Sequence, residues 1–319
     1  MNINRRMAMA GIAAAVAAPA VRAASGWPER QIKWIVPFAA GGSTDAFSRL
    51  AAEQLSNALG QPLVVENITG ASGAIGLERL ARAAPDGYTL GTIPNSLQTM
   101  LPYVTEIPLP YDPMKSFVPI GGFAQFQYVF VVSSSSPIKT LDELISIGRT
   151  QPGKLSFGTT GPGTGNHLAT VLLARKTGAE FTYVPYKGAS QSVVDLLGGH
   201  IDLIVDIVGG VDALIREGKL RPLATTGARR LPLLPDVPTV SETIPGYHHV
   251  GWFGLYGPAG LPPAIVTRLN AELQRAQVAP KYGSALVKLG YEPMPGSSAD
   301  LDAQQKREYA QWGAILKKT

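Results

Sequence analysis

From residue 31 onward, short apolar runs rich in β-branched and aromatic residues alternate with stretches whose apolar positions recur at helical spacing. Residues 31–37 (QIKWIVP) predict a buried strand, and residues 44–59 a helix with Phe47, Leu50, Ala51 and Leu55 on one face. Strands over 63–66 and 88–92, with a helix over 76–84 between them, continue the alternation. It resumes with strands over 128–133, 155–159, 181–185, 203–207 and 223–226. The helices over 141–151, 166–177, 190–198 and 211–217 fall between them, and a Gly/Pro-rich segment (232–263) precedes two last helices, 264–276 and 299–317. Strand–helix–strand repetition predicts parallel sheets covered by helices, because a parallel crossover needs a helix-length connection. No repeat of fixed period and no heptad pattern appears.

Two α/β lobes fit this order better than one very wide sheet. Extended runs mixing aromatics and glycines, at 120–132 and 243–256, are where the chain is expected to cross between them. The first lobe then comprises 24–122 plus 250–319 and the second 123–249. Arg5 and Arg6 precede an apolar stretch from Met7 to Ala18, followed by Val21-Arg22-Ala23. That is the layout of an export signal cut after Ala23, with twin-arginine and Sec export both open. The apolar stretch is short for a bilayer span, which needs about 20 residues.

Composition narrows the function classes. The 319 residues contain no cysteine, which removes disulfide scaffolds, thiolate nucleophiles and cysteine-ligated metals. The formal charge of +5 falls to +2 without Arg5, Arg6 and Arg22, and no basic stripe with interleaved aromatics is present, so nucleic acid is not an expected partner.

The candidate chemistry sits in loops. Four times a predicted strand runs into a Gly/Ser/Thr loop that opens a helix: at 37–45, 67–74, 158–167 and 185–190. In open parallel sheets such loops gather at the carboxyl edge, where helix N-termini offer unpaired N–H groups to an anion. Glycines in tight turns explain one such loop; four, two in each half, favour an anion site built from backbone. Residues 158–165 lack the glycine–lysine pair of a phosphate loop, and Ser72 in G-A-S-G-A fails the nucleophile elbow at its last position. His167, at a helix start, is expected to donate to a ligand or a loop carbonyl. Asp45 is either a carboxylate favoured by the helix dipole or a ligand contact. Asp206 interrupts an apolar strand at its carboxyl edge, so it needs a partner, structural or ligand. Lys187 is expected to face solvent, and Phe38 to wall a pocket or join the core.

These blocks together resemble one family. P-F-A-A-G-G-S-T-D, N-I-T-G-A-S-G-A-I-G, D-G-Y-T-L, G-T-T-G-P-G-T-G-N-H-L-A, V-P-Y-K-G-A-S and L-L-G-G-H-I-D, in this order, resemble the Bug/TctC solute receptors of tripartite tricarboxylate transport systems. The resemblance implies a two-lobed periplasmic-binding-protein fold (type II-like, Venus flytrap), each lobe a mainly parallel sheet flanked by helices. It implies a binding protein rather than an enzyme, without cofactor or metal, that closes on a small organic carboxylate in the periplasm and docks on integral membrane permease subunits. Carried over to this chain, its first-lobe ligand contacts are Phe38, Gly42, Thr44, Asp45, Ser72, Gly73 and Ala74, with Asn95 and Ser96 beside them. Its second-lobe contacts are Gly161, Thr164, Gly165, His167, Gly188 and Asp206, the aspartate reading the distal end of the ligand. A receptor that must close freely is expected to be a monomer. The alternatives are a ligand-binding sensor component for a signalling system and, less well supported, a periplasmic hydrolase.

Overall fold

The computed structural model describes residues 26–106, 108–288 and 290–316, so the expected export signal lies outside the described residues. The chain is a two-lobed, mixed α/β protein. β1 (Ile32–Val36) lies between β2 (Leu63–Asn67) and β3 (Thr89–Pro94), and all three are parallel. α1 (Ser43–Leu59) and α2 (Ala74–Ala81) make the crossovers, as the alternation predicts. Two short helices follow, the buried α3 (Asn95–Thr99) and the partly buried α4 (Leu101–Val104), which no periodicity announces because neither completes two turns.

β4 (Phe117–Ser133) then runs through both lobes. After α5 (Leu141–Thr150), the second lobe repeats the plan. β5 (Ser156–Thr159), β6 (Thr182–Pro185) and β7 (Leu203–Ile207) form a parallel trio in the order β6-β5-β7, with α6 (Gly165–Thr177), α7 (Ala189–Leu197) and α8 (Val208–Arg216) connecting them and leading on. β8 (Leu220–Thr225) and α9 (Val240–Thr243) complete the lobe, and β9 (Val250–Pro258) returns to the first sheet. α10 (Pro263–Val278), α11 (Pro280–Lys288), β10 (Tyr291–Glu292) and α12 (Ser298–Leu316) end the described chain. α10 packs on β4 and α1, and α12 on β4 and α3.

The register of β4 shows how the lobes join. From Phe117 to Gln127 it pairs with β9, ending at Gln127 opposite Val250. From Tyr128 onward it lies between β7 and β8. β4 carries the chain out of the first sheet and β9 brings it back, so the two run antiparallel. The parallel trio of each lobe is thus flanked by strands of opposite direction, which the reading of mainly parallel lobes does not anticipate.

β4 is covered on both sides, so it is buried along most of its length and largely apolar, Gln125 and Gln127 excepted. Phe126 meets Phe253 at 4.7 Å and Tyr291 at 5.5 Å, while Phe123 stacks on Phe47 at 5.3 Å. Fully buried side chains of this size contribute about 1.5–3 kcal/mol each. This aromatic layer stiffens the strand on which the interlobe cavity rests.

Candidate functional site

Between the two sheets lies a cavity of about 240 Å3. Four helices begin at its wall. Ser43 and Thr44 open α1, Gly165 and Asn166 open α6, Ala189 to Gln191 open α7, and Ile207 immediately precedes α8. At none of the four does the N-cap residue (Gly42, Thr164, Gly188 or Ile207) make a side-chain cap bond. The positive ends of four helix dipoles therefore lie at the cavity wall, which favours an anion without any arginine.

The rest of the wall sorts by chemistry. Phe38, Pro94, Phe126, Tyr128 and Phe253 make it apolar, and the hydroxyls of Ser43, Thr44, Ser96 and Ser190 add donors. Asn166 organises the second-lobe loop: its Oδ1 accepts from the hydroxyls of Thr160 (3.1 Å) and Thr164 (2.7 Å) and from the N–H of His167 (2.8 Å). That leaves Nδ2 of Asn166 as a donor for the cavity. Among the described residues, the lining carries two charged side chains, Lys187 and Asp206, and both come from the second lobe. Asp206 is the penultimate residue of β7, is 8% exposed, and accepts from the N–H of Ile207 at 2.7 Å. Burial pushes its carboxyl up to about 7, against the pull of that one N–H.

The structure brings eight of the expected residues to this wall: Phe38, Gly42, Thr44, Ser96, Thr164, Gly165, Gly188 and Asp206. The other seven stand outside it. Asp45 turns back into its own loop, where burial alone would raise its pKa. Arg49, the Gly41 N–H and Asn67 outweigh that and hold it below the usual value. Asn95 points the other way, onto β9 and α12. Gly73 packs beneath Leu97 and Pro37, and Ala74 is buried at the start of α2. His167 accepts from the Gly163 N–H at 3.3 Å, and burial pushes it down to about 4, so it is a neutral loop brace.

Ser72 and Gly161 meet each other instead of the cavity. A methyl group on Gly161 would stand 2.6 Å from Oγ of Ser72, and one on Gly163 within 3 Å of Leu101 and Val104. One on Gly188 would stand 3.6 Å from Cβ of Ala39. The lobes therefore touch across the cleft, and glycines at these loops give room for the opposite lobe. Lys187, expected to face solvent, is exposed at the mouth and also lines the cavity. Phe126, Tyr128 and Asn166 also line the cavity but are not among the expected site residues, although Asn166 lies in the expected 158–167 loop.

The model of the tripartite tricarboxylate transporter family receptor, TctC, matches residues 47–319. The chain belongs to the TctC family. Among curated relatives of this TctC receptor is BugT of Bordetella pertussis, 33% identical over all of this chain and 98% of its own length. Two solved structures superpose closely. Rpa4515 of R. palustris, solved with adipate, is 35% identical with a TM-score of 0.87, covering 92% of this chain and 98% of its own. MatC of Rhodopseudomonas palustris, solved with malate, is 30% identical with a TM-score of 0.86, covering 91% of this chain and 100% of its own. TctC proteins are periplasmic solute-binding receptors, not enzymes. Among the described residues of this one, no helix is long and apolar enough to cross a membrane.

Proposed function

We propose that this TctC receptor captures a small dicarboxylate between its lobes in the periplasm and delivers it to the integral membrane permease subunits of a tripartite tricarboxylate-type transporter. The observation that carries the reading is the convergence of four uncapped helix N-termini on one arginine-free cavity. One carboxylate binds the N–H groups at the starts of α1 and α7, with the Ser43, Thr44 and Ser96 hydroxyls beside it. Asp206 meets the distal end. Protonated, its carboxyl donates to a second carboxylate; ionised, it accepts from a hydroxyl. Adipate in Rpa4515 and malate in MatC support this ligand class.

Residues 24–122 with 250–319, and residues 123–249, act as the two moving bodies, flexing at crossings near 120–132 and 243–256. A ligand touching both lobes makes more contacts when the cleft is shut, so it shifts the population toward closure. The mature receptor works as a monomer whose shut form docks on the permease.

The test is a thermal-shift and calorimetry panel on residues 24–319, using mono-, di- and tricarboxylic and aromatic acids, with sugars and neutral amino acids as controls. A binder at a hundredfold excess over its Kd adds about 2.7 kcal/mol to stability. Shifts confined to dicarboxylates are the expected result. Shifts from sugars alone, or none from any acid, would overturn the reading.

A further inference from the structure

Asn95 does not face the cavity, yet its neighbours Pro94 and Ser96 do. Its side chain is fully committed behind the wall. Nδ2 donates to the Val250 carbonyl (3.1 Å) and to Glu308 Oε2 (3.3 Å), and Oδ1 accepts from the Trp252 N–H (3.3 Å). Glu308, on α12, also accepts from the Trp252 indole (2.8 Å) and from Gln304 (2.9 Å) at Oε1. One carboxylate thus gathers donors from α3, β9 and its own helix. Val250 is the first residue of β9 and pairs with Gln127, where β4 changes sheets.

Glu308 also lines a second cavity, of about 340 Å3, on the far side of these strands. Phe126 separates it from the ligand cavity and belongs to both walls. Glu308 is half-buried; a carboxylate even partly withdrawn from water costs free energy unless it is well bonded, and a leucine would fill a helix–sheet contact without that cost. Its polar bonds therefore call for an explanation other than packing.

We propose that Glu308 is a positioning residue for the ligand cavity: through Asn95 it locks the Pro94–Ser96 wall to the strand on which the chain returns between the lobes. This rests on the carboxylate-binding reading for its ligand arm only. Glu308→Gln keeps the shape and keeps Oε1 for Trp252 and Gln304, but turns an amide NH2 toward the NH2 of Asn95.

The experiment compares wild type and Glu308→Gln by hydrogen exchange without ligand, by tryptophan emission, and by calorimetry with adipate and malate. Exchange over 92–99 and 249–254 should quicken about tenfold with the second-lobe sheet unchanged. The Trp252 emission should shift, and affinity for whichever acid binds wild type should fall about tenfold. Unchanged exchange in those two segments would overturn the clamp whether or not either acid binds. Quickened exchange with unchanged affinity would reduce Glu308 to a structural contact. Gln304→Leu, which removes a donor to Glu308 without touching Asn95, guards against general loosening. It should leave affinity within about twofold, and an equal loss would also overturn the proposal.

Discussion

Replacing Asp206 by asparagine should stabilise the ligand-free protein while weakening its binding. The carboxyl lies buried at the cavity end with one N–H donor, and its pKa stands at about 7 against an ordinary 3.8. Between those values the folded state holds a proton that the unfolded chain has released. Stability therefore falls as pH rises, by about 1.4 kcal/mol per unit. Across roughly three units the loss reaches about 4 kcal/mol, fully present above pH 7. Asparagine keeps an oxygen for the Ile207 N–H and removes the titration. Urea unfolding of wild type and Asp206→Asn at pH 4 to 8, without ligand, measures the difference directly. The two stabilities should be close near pH 4 and diverge toward pH 8, with the variant the more stable. Parallel curves would show that Asp206 titrates normally, and the argument from its burial would fail.

Other outcomes follow from the same geometry. If protonated Asp206 meets a second carboxylate, dicarboxylate binding takes up a proton and tightens as pH falls through 7; calorimetry in buffers of different ionisation enthalpy reads the uptake, and none would assign the contact to the ionised form. Gly188 has an extended backbone open to any residue, but faces Ala39 across the cleft. Gly188→Leu should hold the lobes apart, costing at least tenfold in affinity with little change in Tm; scattering of the ligand-free protein should show a wider particle, and unchanged affinity would refute the contact. Asp45→Asn should cost about 1–2 kcal/mol near neutral pH by weakening the Arg49 and Gly41 bonds. Because the Asp45 pKa is lowered in the folded state, that contribution is present above the ordinary carboxylate pKa and lost as pH falls through the lower value; equal urea midpoints at pH 7 would count against it.

Much of the scaffold is legible in the chain. The strand–helix alternation predicts the crossovers of both parallel trios because each of those helices is long enough to show its period. α3 hides because five residues, all buried, have none to show. The site divides along a similar line. That loops 37–45, 158–167 and 185–190 reach one cavity follows from strand ends gathering at a sheet edge. Side-chain direction does not follow. Asp45 and Asn95 are polar residues at helix starts beside the cavity, yet both spend their bonds on neighbouring loops and strands. Phe126 and Tyr128 alternate with Gln125 and Gln127, so they share one face of β4 and both reach the cleft; the pattern alone does not tell a cavity-lining face from a core face. Gly161 is conspicuous in sequence as part of an anion loop. Its neighbour across the cleft is Ser72, which only the approach of the other lobe reveals.

The position of β9 has a consequence for how the chain must be made. In the first sheet it lies between β3 and β4, with Gly91 pairing to Tyr256 on one side and Gln125 to Trp252 on the other. Until residue 258 exists, that sheet has a gap at its centre and two unpaired apolar edges, the kind of surface that recruits other chains. The second sheet draws its strands from residues 128–225 and has no such wait. A nascent chain is therefore half foldable and half adhesive until only about its last fifth remains to be made. A truncation ending at residue 249 should retain the sheet of β4 to β8 and aggregate through the other.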